Sequence, residues 1–384
     1  MPLRRLVILL ILALLTVLSP GVPPAWAAPA QVGVVSFVGA STTSLTLDWP
    51  AASGARGYEV WRSTHKNMSY ATKVKTTTGS SATITGMSPG KMYCFQVRGR
   101  AGSSFGMRSA HTCKPTIRSQ SRISGAAYAV MTLNACSEAC SGWSRRLSAA
   151  RTLIKKRNPD VIAVQEAAVW TTPPTGYANA FHKSAKRLFY KKSRFTVAST
   201  SSGKRAGSIT LSSAKYAVWA ELVNRSTGKR IIFVSAHTSP AYKDYALRGR
   251  EVGNLLSRMN QINTGKRTVV YAGDFNSHKN RGTYSESAGF GSQDTVGRKF
   301  AASGYYDSYD LARTLKRPNW NSYSGMKSKP TISRTWGDHV DHVYVKPAST
   351  NIYRWMNAAL YSGSRYSSPF PSDHSAVQVN LYIP

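Results

Sequence analysis

The sequence predicts an all-β module followed by a larger, sheet-rich domain in which strands alternate with helices. Three observations support this organisation. Apolar residues recur with period two in residues 30–116, a short polar stretch follows at 117–123, and strand-like runs alternate with helical spacing over residues 124–384. A chain of 384 residues is long enough for two domains with separate cores.

The N-terminal 27 residues predict an export signal. Arg4 and Arg5 precede an apolar run, residues 6–18, that is too short for a permanent membrane span. Small residues stand at the cleavage spacing in Ala25-Trp26-Ala27. We therefore expect a secreted, extracellular protein that begins near residue 28 and has no permanent membrane span. An uncleaved membrane anchor is the alternative.

Residues 30–116 carry short alternating strands separated by Gly and Ser, which is typical of a β-sandwich. Trp49, the run at 57–60 and the stretch from Met87 to Tyr93 resemble a fibronectin type III domain. The last stretch is similar to that fold's tyrosine corner, with Met87 where leucine is usual. Such modules are more often spacers or adhesive surfaces than catalytic units. We expect no chemistry here, and at most contact with a cell wall or cell surface.

Four cysteines follow the export signal: Cys94, Cys113, Cys136 and Cys140. Export permits disulfides, and we favour the local pairs Cys94–Cys113 and Cys136–Cys140, although four cysteines allow three connectivities. A cysteine-rich metal site is disfavoured because the sequence has no CxxC pair and no nearby Cys/His cluster.

The elements of the second domain follow from apolar spacing. A first helix is marked by Trp143, Leu147, Ala150 and Ile154, and a second by Val252, Leu255, Leu256 and Met259. Strands are predicted at 127–133, 161–164, 195–199, 209–211, 216–222, 231–235, 268–272, 342–345 and 376–381. Residues 117–123 are interpreted as the linker between the two domains.

Polar side chains stand at the ends of several of these strands: Asn134, Gln165, Glu166, His237, Asp274, Asn276, Asp341, Asp373 and His374. Each has a simple structural alternative, such as an Asx-turn at Asp274 or Asn276, a helix cap at Glu166 or a core histidine at His237. After residue 120 there are 38 basic and only 14 acidic residues, and four of those acids stand at these strand ends. Carboxylates retained in so basic a domain indicate a bound divalent cation.

In order along the chain, Asn134, the run 159–166, His237, the run 273–276, the run 340–342 and the run 372–374 resemble the endonuclease/exonuclease/phosphatase superfamily. The resemblance covers residues 124–384 and implies the deoxyribonuclease-I-like fold, an α+β four-layer β-sandwich flanked by helices. It also implies a phosphodiester hydrolase that uses Mg²⁺, with Mn²⁺ or Ca²⁺ as alternatives. Trp143 and Arg146 are similar to the first helix of that fold. The run 336–339 is less typical, so Asp338 receives no role.

The resemblance also implies roles for individual residues. Glu166 would be the main metal ligand, with Asn134 beside it and Asp373 available to the same shell. Asp274 would orient or deprotonate the attacking water, and Asn276 would hold that water or a phosphate oxygen. His374 would contact the phosphoryl group with its second nitrogen held by Asp341, and His237 would bind phosphate or help protonate the leaving oxygen. Two points stay open: whether Asp274 or His374 is the base, and whether one or two ions act.

The formal net charge of +35 predicts a polyanionic partner such as nucleic acid, an acidic wall polymer or an anionic membrane. We favour a secreted, monomeric nuclease that prefers DNA to RNA, with endo- or exo-action left open. The basic clusters 155–157, 191–194 and 204–205 could contact phosphates or form a solvated face.

Two alternatives to a nuclease remain. A sphingomyelinase-like extracellular lipid phosphodiesterase or phosphatase would need an exposed apolar docking surface. The candidate residues for such a surface are Tyr305, Tyr306, Trp320, Tyr323 and Trp355. The other alternative is a non-catalytic surface-binding protein.

Overall fold

The computed structural model describes residues 27–384. The predicted export signal therefore lies outside the described residues, apart from its last residue. Within residues 27–384, no helix is both long enough and apolar enough to cross a bilayer.

The first module is a sandwich of two antiparallel sheets. Its strands are β1 (Ser36–Ala40), β2 (Leu45–Asp48), β3 (Gly57–Ser63), β4 (Thr72–Thr77), β5 (Ser81–Ile84), β6 (Met92–Ala101), β7 (Ser104–Phe105) and β8 (Thr112–Pro115). One sheet has the order β1–β2–β5; the other has the order β4–β3–β6–β7, with β8 also paired to β6. Phe37 and Phe95 meet edge to face between the sheets. The Tyr93 hydroxyl accepts the Ser88 N–H at 3.0 Å, which confirms the predicted corner.

Both disulfides join the cysteines that are local in sequence. Cys94 on β6 is bonded to its cross-strand partner Cys113 on β8, and Cys136 is bonded to Cys140 in the loop before the first helix. The favoured connectivity is therefore confirmed.

The second domain contains two large sheets and four α-helices among the described residues. Its helices are α1 (Trp143–Arg157), α2 (Tyr245–Ile262), α3 (Thr295–Ala302) and α4 (Ser308–Leu311), with a 3₁₀ turn at Pro347–Ser349. Its first strands are β9 (Ala126–Asn134), β10 (Val161–Gln165), β11 (Tyr177–Lys183), β12 (Lys186–Lys191), β13 (Phe195–Val197), β14 (Ser199–Thr200), β15 (Gly203–Lys204), β16 (Ala206–Ser212), β17 (Lys215–Asn224), β18 (Arg230–His237) and β19 (Thr268–Asp274). The remaining strands are β20 (Tyr284–Ser285), β21 (Phe290–Gly291), β22 (Tyr306–Asp307), β23 (Thr314–Lys316), β24 (Asp341–Val345), β25 (Asn351–Asn357), β26 (Tyr361–Ser362), β27 (Arg365–Tyr366) and β28 (Val377–Ile383).

The two large sheets pack face to face and carry helices on their outer faces. The first sheet has the order β11–β12–β10–β9–β28–β25–β23, and the second has the order β13–β17–β18–β19–β24–β22, with β16 also paired to β17. Strand residues such as Val130, Val161 and Phe233 fill the space between the sheets. Leu153 of α1 packs on the outer face of the first sheet, and Leu255 of α2 packs on that of the second. The predicted four-layer architecture is confirmed.

The two modules share a sheet and a core. Gly39 on β1 pairs with Thr314 on β23, so the β1–β2–β5 sheet continues the first sheet of the second domain. The Cys113 N–H donates to the Thr335 carbonyl at 2.7 Å. The fully buried Lys114 ammonium donates to the Tyr309 carbonyl at 2.7 Å and lies 4.9 Å from that ring. Backbone pairing and the buried Lys114 hydrogen bond therefore fix one module on the other.

The predicted linker is fastened to both modules. The Ile117 N–H donates to the Ser41 carbonyl at 2.9 Å, on the first module. The Gln120 side chain donates to the Leu311 carbonyl at 2.7 Å and accepts the Ile352 N–H at 2.6 Å, both on the second. A segment whose amide groups are satisfied in this way does not behave as a flexible tether.

We expect the two modules to unfold as one unit, and Trp336 tests this coupling. Its buried ring lies in the shared core, with the Lys66 ammonium of the first module 5.2 Å above it. Trp336→Ala should lower the free energy of unfolding by about 3–5 kcal/mol, because a large buried ring is lost. Hydrogen exchange should show reduced protection in β6 as well as in the second domain.

The matched control is Ile332→Ala, because Ile332 is 44% exposed in the same loop. This control should stay within about 0.5 kcal/mol of the parent. Loss of protection confined to the second domain would contradict the coupling.

Candidate active site

The register of the strands brings the predicted polar residues to one edge of the sandwich. Asn134 ends β9 and is paired with Gln165 at the end of the parallel strand β10. In the second sheet His237 is paired with Asp274 at the ends of parallel β18 and β19, and Asp274 lies opposite Asp341 at the start of antiparallel β24. Since the two sheets face each other, these strand ends meet across the gap between them.

Gly273 is required by the close approach of β18 and β19. A Cβ atom at this position would lie 2.1 Å from the Ala236 carbonyl oxygen, so no side chain fits. The chain then turns after Asp274, whose Oδ1 accepts the Asn276 N–H at 3.0 Å while Asn276 adopts a left-handed φ of 49°. The Asx-turn considered from sequence therefore exists, and it occupies only one of the two carboxylate oxygens.

The other oxygen, Asp274 Oδ2, is the centre of the cluster. It accepts the Asn134 amide N–H at 3.0 Å and lies 3.7 Å from Nε2 of both His237 and His374. Asp274 is almost fully buried, with 1% of its surface exposed. A buried carboxylate that contacts two imidazoles is a typical arrangement for proton transfer or metal binding.

Glu166 supplies a second carboxylate beside Asp274. Its Oε1 accepts the Asn134 amide at 2.9 Å and lies 3.8 Å from His237 Nε2. Burial raises the pKa of Glu166, and the nearby Asp274 charge adds to this effect, while the Asn134 hydrogen bond and His374 oppose it. Its side chain is 30% exposed, so Glu166 is the carboxylate that opens to solvent.

The two histidines differ in protonation state. His374 Nδ1 lies 2.8 Å from Asp341 Oδ2 and its Nε2 faces Asp274, so both ring nitrogens face carboxylates. Burial alone would lower the pKa of His374, but Asp341 and Asp274 outweigh it and raise that pKa to about 10. Burial lowers the pKa of His237 to about 4, with Lys186 and Lys215 adding to the effect and Asp274 opposing it. His374 is therefore cationic at neutral pH, and His237 is neutral.

The donor set fits a divalent cation. Ligand atoms of Glu166, His237 and Asp274 all lie within 4.8 Å of one another. Within residues 27–384, the buried His237 Nε2 has no hydrogen-bond partner, and neither Glu166 nor Asp274 forms an ion pair with a lysine or arginine. By contrast, the buried Glu221 is paired with Arg205 and Arg230. Neighbouring carboxylates without a lysine or arginine partner are ligands expected for a hard cation.

Two residues predicted to bind the metal, Asn134 and Asp373, do not direct an oxygen toward the ligand atoms of Glu166, His237 and Asp274. Asn134 turns its amide nitrogen, not its oxygen, toward the carboxylates, because the oxygen accepts the Cys136 N–H at 3.0 Å. Asp373 lies beside the Cys136–Cys140 disulfide rather than among the ligand atoms of Glu166, His237 and Asp274. This geometry makes Asn134 a donor that aligns the two carboxylates.

A family model matches most of the second domain. The model for the Endonuclease/Exonuclease/phosphatase family matches residues 131–374. The chain belongs to this family. Members of the Endonuclease/Exonuclease/phosphatase family are hydrolases that act on phosphoester bonds, and they generally use divalent metals. A fibronectin type III model matches residues 28–113, so both resemblances noted from the sequence are confirmed.

Solved structures of this family share the fold at low identity. A mannosyl-6-phosphatase from Bacteroides thetaiotaomicron is 17% identical with a TM-score of 0.53, covering 66% of this chain and 99% of that one. A family protein from Bacteroides vulgatus is 16% identical with a TM-score of 0.53, covering 67% and 100%. The human Nocturnin catalytic domain is 16% identical with a TM-score of 0.50, covering 68% and 97%. These likenesses show the fold alone. No curated protein matches the sequence.

The sequence alone did not show which residues hold the loops of the candidate site in place. The buried Arg146 guanidinium donates to the Cys136 and Cys140 carbonyls at 2.8 and 2.6 Å and to the Pro371 carbonyl at 3.2 Å. It thereby ties the disulfide loop after Asn134 to the loop before His374. Its similarity to the family's first helix was the one available signal.

A buried ion pair supports the turn that follows Asp274. His342 Nδ1 lies 2.7 Å from Asp307 Oδ2, and its Nε2 lies 2.8 Å from the Ser277 carbonyl oxygen. Both partners can only accept when Asp307 is ionised, so His342 is an imidazolium. Burial opposes this, but Asp307 raises the pKa of His342 to about 9, and His342 lowers that of Asp307 to about 2.

This pair predicts how stability depends on pH. Because the pKa of His342 is raised in the folded state, its contribution is fully present below about pH 6.5 and is lost as the pH rises through about 9. The Asp307 contribution is present above about pH 4 and is lost as the pH falls through about 2. His342→Gln should remove a decline on the order of 3 kcal/mol between pH 6.5 and 9, measured by urea unfolding. The exposed His182→Gln is the control; the same slope in the parent and in His342→Gln would contradict the assignment.

Proposed function

We propose that this protein is a secreted, divalent-metal-dependent phosphodiesterase that hydrolyses nucleic acid, with DNA preferred over RNA. One observation carries the proposal: a buried carboxylate oxygen, Asp274 Oδ2, lies beside a neutral imidazole, an imidazolium and a second carboxylate, in a strongly basic domain. A phosphodiester is anionic, so such a site must neutralise charge and position water.

Glu166 and His237 would hold the cation beside Asp274, with Asn134 aligning the two carboxylates through its amide. When bound, a divalent cation neutralises phosphate charge and favours ionisation of water. His237 is suited to this place because its imidazole is neutral and its Nε2 is unpartnered.

His374 and Asp274 have separate roles in the proposed reaction. With both nitrogens facing carboxylates, His374 carries two protons and serves as a hydrogen-bond donor to the phosphoryl oxygens, not as the base. Asp274 accepts the proton of the attacking water, whose oxygen bonds to phosphorus. The phosphorus–oxygen bond to the leaving group breaks, and the leaving oxygen takes a proton from solvent. Asn276 lies at the same turn, where its side-chain amide donates to the Thr238 carbonyl at 3.2 Å, and its remaining polar groups would orient the water or a phosphate oxygen.

The surface favours a nucleic acid over a lipid. Of the five aromatic residues that could have formed a membrane-docking loop, only Tyr323 is exposed; Tyr305 and Trp355 are buried, and Tyr306 and Trp320 are half-buried. The Tyr323 ring lies 5.1 Å from the His374 ring, at the mouth of the site. An exposed aromatic ring beside a phosphate site suits stacking with a base. The basic excess of the domain suits a phosphate backbone.

Secretion and a monomeric state remain part of the proposal. The two disulfides suit an oxidising compartment. The export signal predicted at residues 1–27 supports the same location.

Substitutions at the site should abolish hydrolysis without unfolding the protein. Glu166→Ala, Asp274→Ala and His374→Ala each remove a different part of the phosphate site, and each should lower kcat/KM at least about a hundredfold. Purified variants are compared by single-turnover hydrolysis and by urea unfolding. The control Asp48→Asn removes an exposed carboxylate from the first module and should retain activity. Full activity in all three site variants would refute this site.

A substrate panel tests the class of ester. Supercoiled plasmid, RNA and sphingomyelin are incubated with the parent protein in Mg²⁺ and in EDTA. We expect DNA to be lost fastest, and only with the metal present. Sphingomyelin hydrolysis with intact DNA would replace the nuclease by a lipid phosphodiesterase, and DNA binding without any hydrolysis would favour a non-catalytic binding protein.

A further inference from the structure

A basic cleft lies along α1, away from the catalytic residues. It has a volume of about 780 Å³ and lies between α1, the turn at residues 174–177 and the turn that follows β12. Two of the basic clusters seen in the sequence, 155–157 and 191–194, contribute residues to its walls. Segments that are more than thirty residues apart in sequence thus converge on one groove.

One face of α1 forms a wall of this cleft. Ser148, Arg151, Thr152 and Lys155 follow at i, i+3, i+4 and i+7, which places them on one stripe of the helix. Lys192 stands on the opposite wall. Hydroxyl groups between cations are typical of surfaces that contact phosphate oxygens.

The cations of the cleft are free to pair with an external anion. Arg151, Lys155 and Lys192 are exposed, and none of them forms an ion pair with a carboxylate within residues 27–384. Lys191 differs, because its ammonium lies 3.3 Å from Asp160. Helix α1 contains no acidic residue, so no negative charge on this helix offsets the stripe.

The cleft is connected to the active site by α1 itself. The helix begins at Trp143, and Arg146 in its first turn ties the disulfide loop to the loop before His374. With a rise of 1.5 Å per residue, Arg151 and Lys155 lie about 12 and 18 Å along the helix from its start. At 3.4 Å per nucleotide in a duplex strand, this length of helix alone corresponds to about four to five nucleotides, and the distance from Asp274 to the start of the helix adds to it.

We propose that this cleft is an exosite for the phosphate backbone of nucleic acid, and that it holds the strand a few nucleotides from the phosphodiester being cleaved. The proposal rests on the proposed function, since a strand bound at Asp274 must continue across the surface. A regularly charged backbone suits the spaced cations, and it would be bound mainly through release of its counterions. Arg151, Lys155 and Lys192 are therefore affinity residues for long substrates, not catalytic residues.

The test compares two triple variants in a His374→Ala background, so that binding is measured without cleavage. Arg151→Ala/Lys155→Ala/Lys192→Ala removes the exosite. Arg250→Ala/Arg258→Ala/Lys299→Ala removes the same charge from exposed positions on α2 and α3, across the sandwich. The Kd of a 30-base-pair DNA is measured at several salt concentrations. We expect the exosite variant to bind at least tenfold more weakly and to lose about 2 to 3 units of salt slope, because each lost phosphate contact removes about 0.9. The control variant should change far less.

A small substrate separates the exosite from the chemistry. With His374 restored, the exosite variant should hydrolyse bis(p-nitrophenyl) phosphate at the parent rate while its KM for long DNA rises. Equal losses in the two triple variants, or an unchanged salt slope, would overturn the exosite. Loss of binding to poly(glycerol phosphate) with unchanged DNA binding would also overturn it and assign the cleft to a wall polymer. Failure of the proposed function gives a different result: the parent protein would bind DNA through the cleft and cleave neither DNA nor RNA.

Discussion

The active site depends on one packing constraint, the contact between the backbones of β18 and β19 at Ala236 and Gly273. No side chain fits between the two backbones at this point, and glycine at position 273 therefore allows the strands to stay paired. The pairing continues to their last residues, His237 and Asp274. The Asx-turn at Asn276 then fixes one carboxylate oxygen and leaves the other directed toward Asn134 and the two histidines. Strand pairing, which is a property of the backbone, therefore sets the positions of the candidate site atoms.

Charge is arranged in two ways in this basic chain. Structural carboxylates such as Glu59, Asp160 and Glu221 are buried against lysine or arginine, where the opposite charge offsets the cost of desolvating the carboxylate. The carboxylates of the site face imidazoles and an amide instead, and Glu166, which is partly exposed beside the neutral His237, keeps its charge available to a cation. The small number of acidic residues therefore indicated that some carboxylates serve a site. It could not distinguish those carboxylates from the structural ones, because the positions of the basic partners are set by the fold.

Much of the fold and of the site could be predicted from the sequence, because the central strands alternate or are continuously apolar and end in recognisable polar residues. Strand β12 was missed because the charged residues Lys186 and Arg187 are buried in it, which hides the usual pattern. Strand β11 was missed because only Ala180 is buried along it, so it lacks a regular apolar alternation. Strand β25 and helix α3 were missed as well, and the boundaries of most predicted strands were short by one or two residues. The orientation of the Asn134 amide and the pairing of His342 with Asp307 depend on contacts between distant segments, which no local pattern encodes.

The continuous sheet across the two modules has a mechanical consequence. A fibronectin type III module on a loose tether would let a catalytic domain sample many directions around its anchoring point. Here the pairing of β1 with β23 and the fastened segment at residues 117–123 leave no such swivel. Attachment of the first module to a surface would therefore also fix the direction in which the opening of the candidate site points.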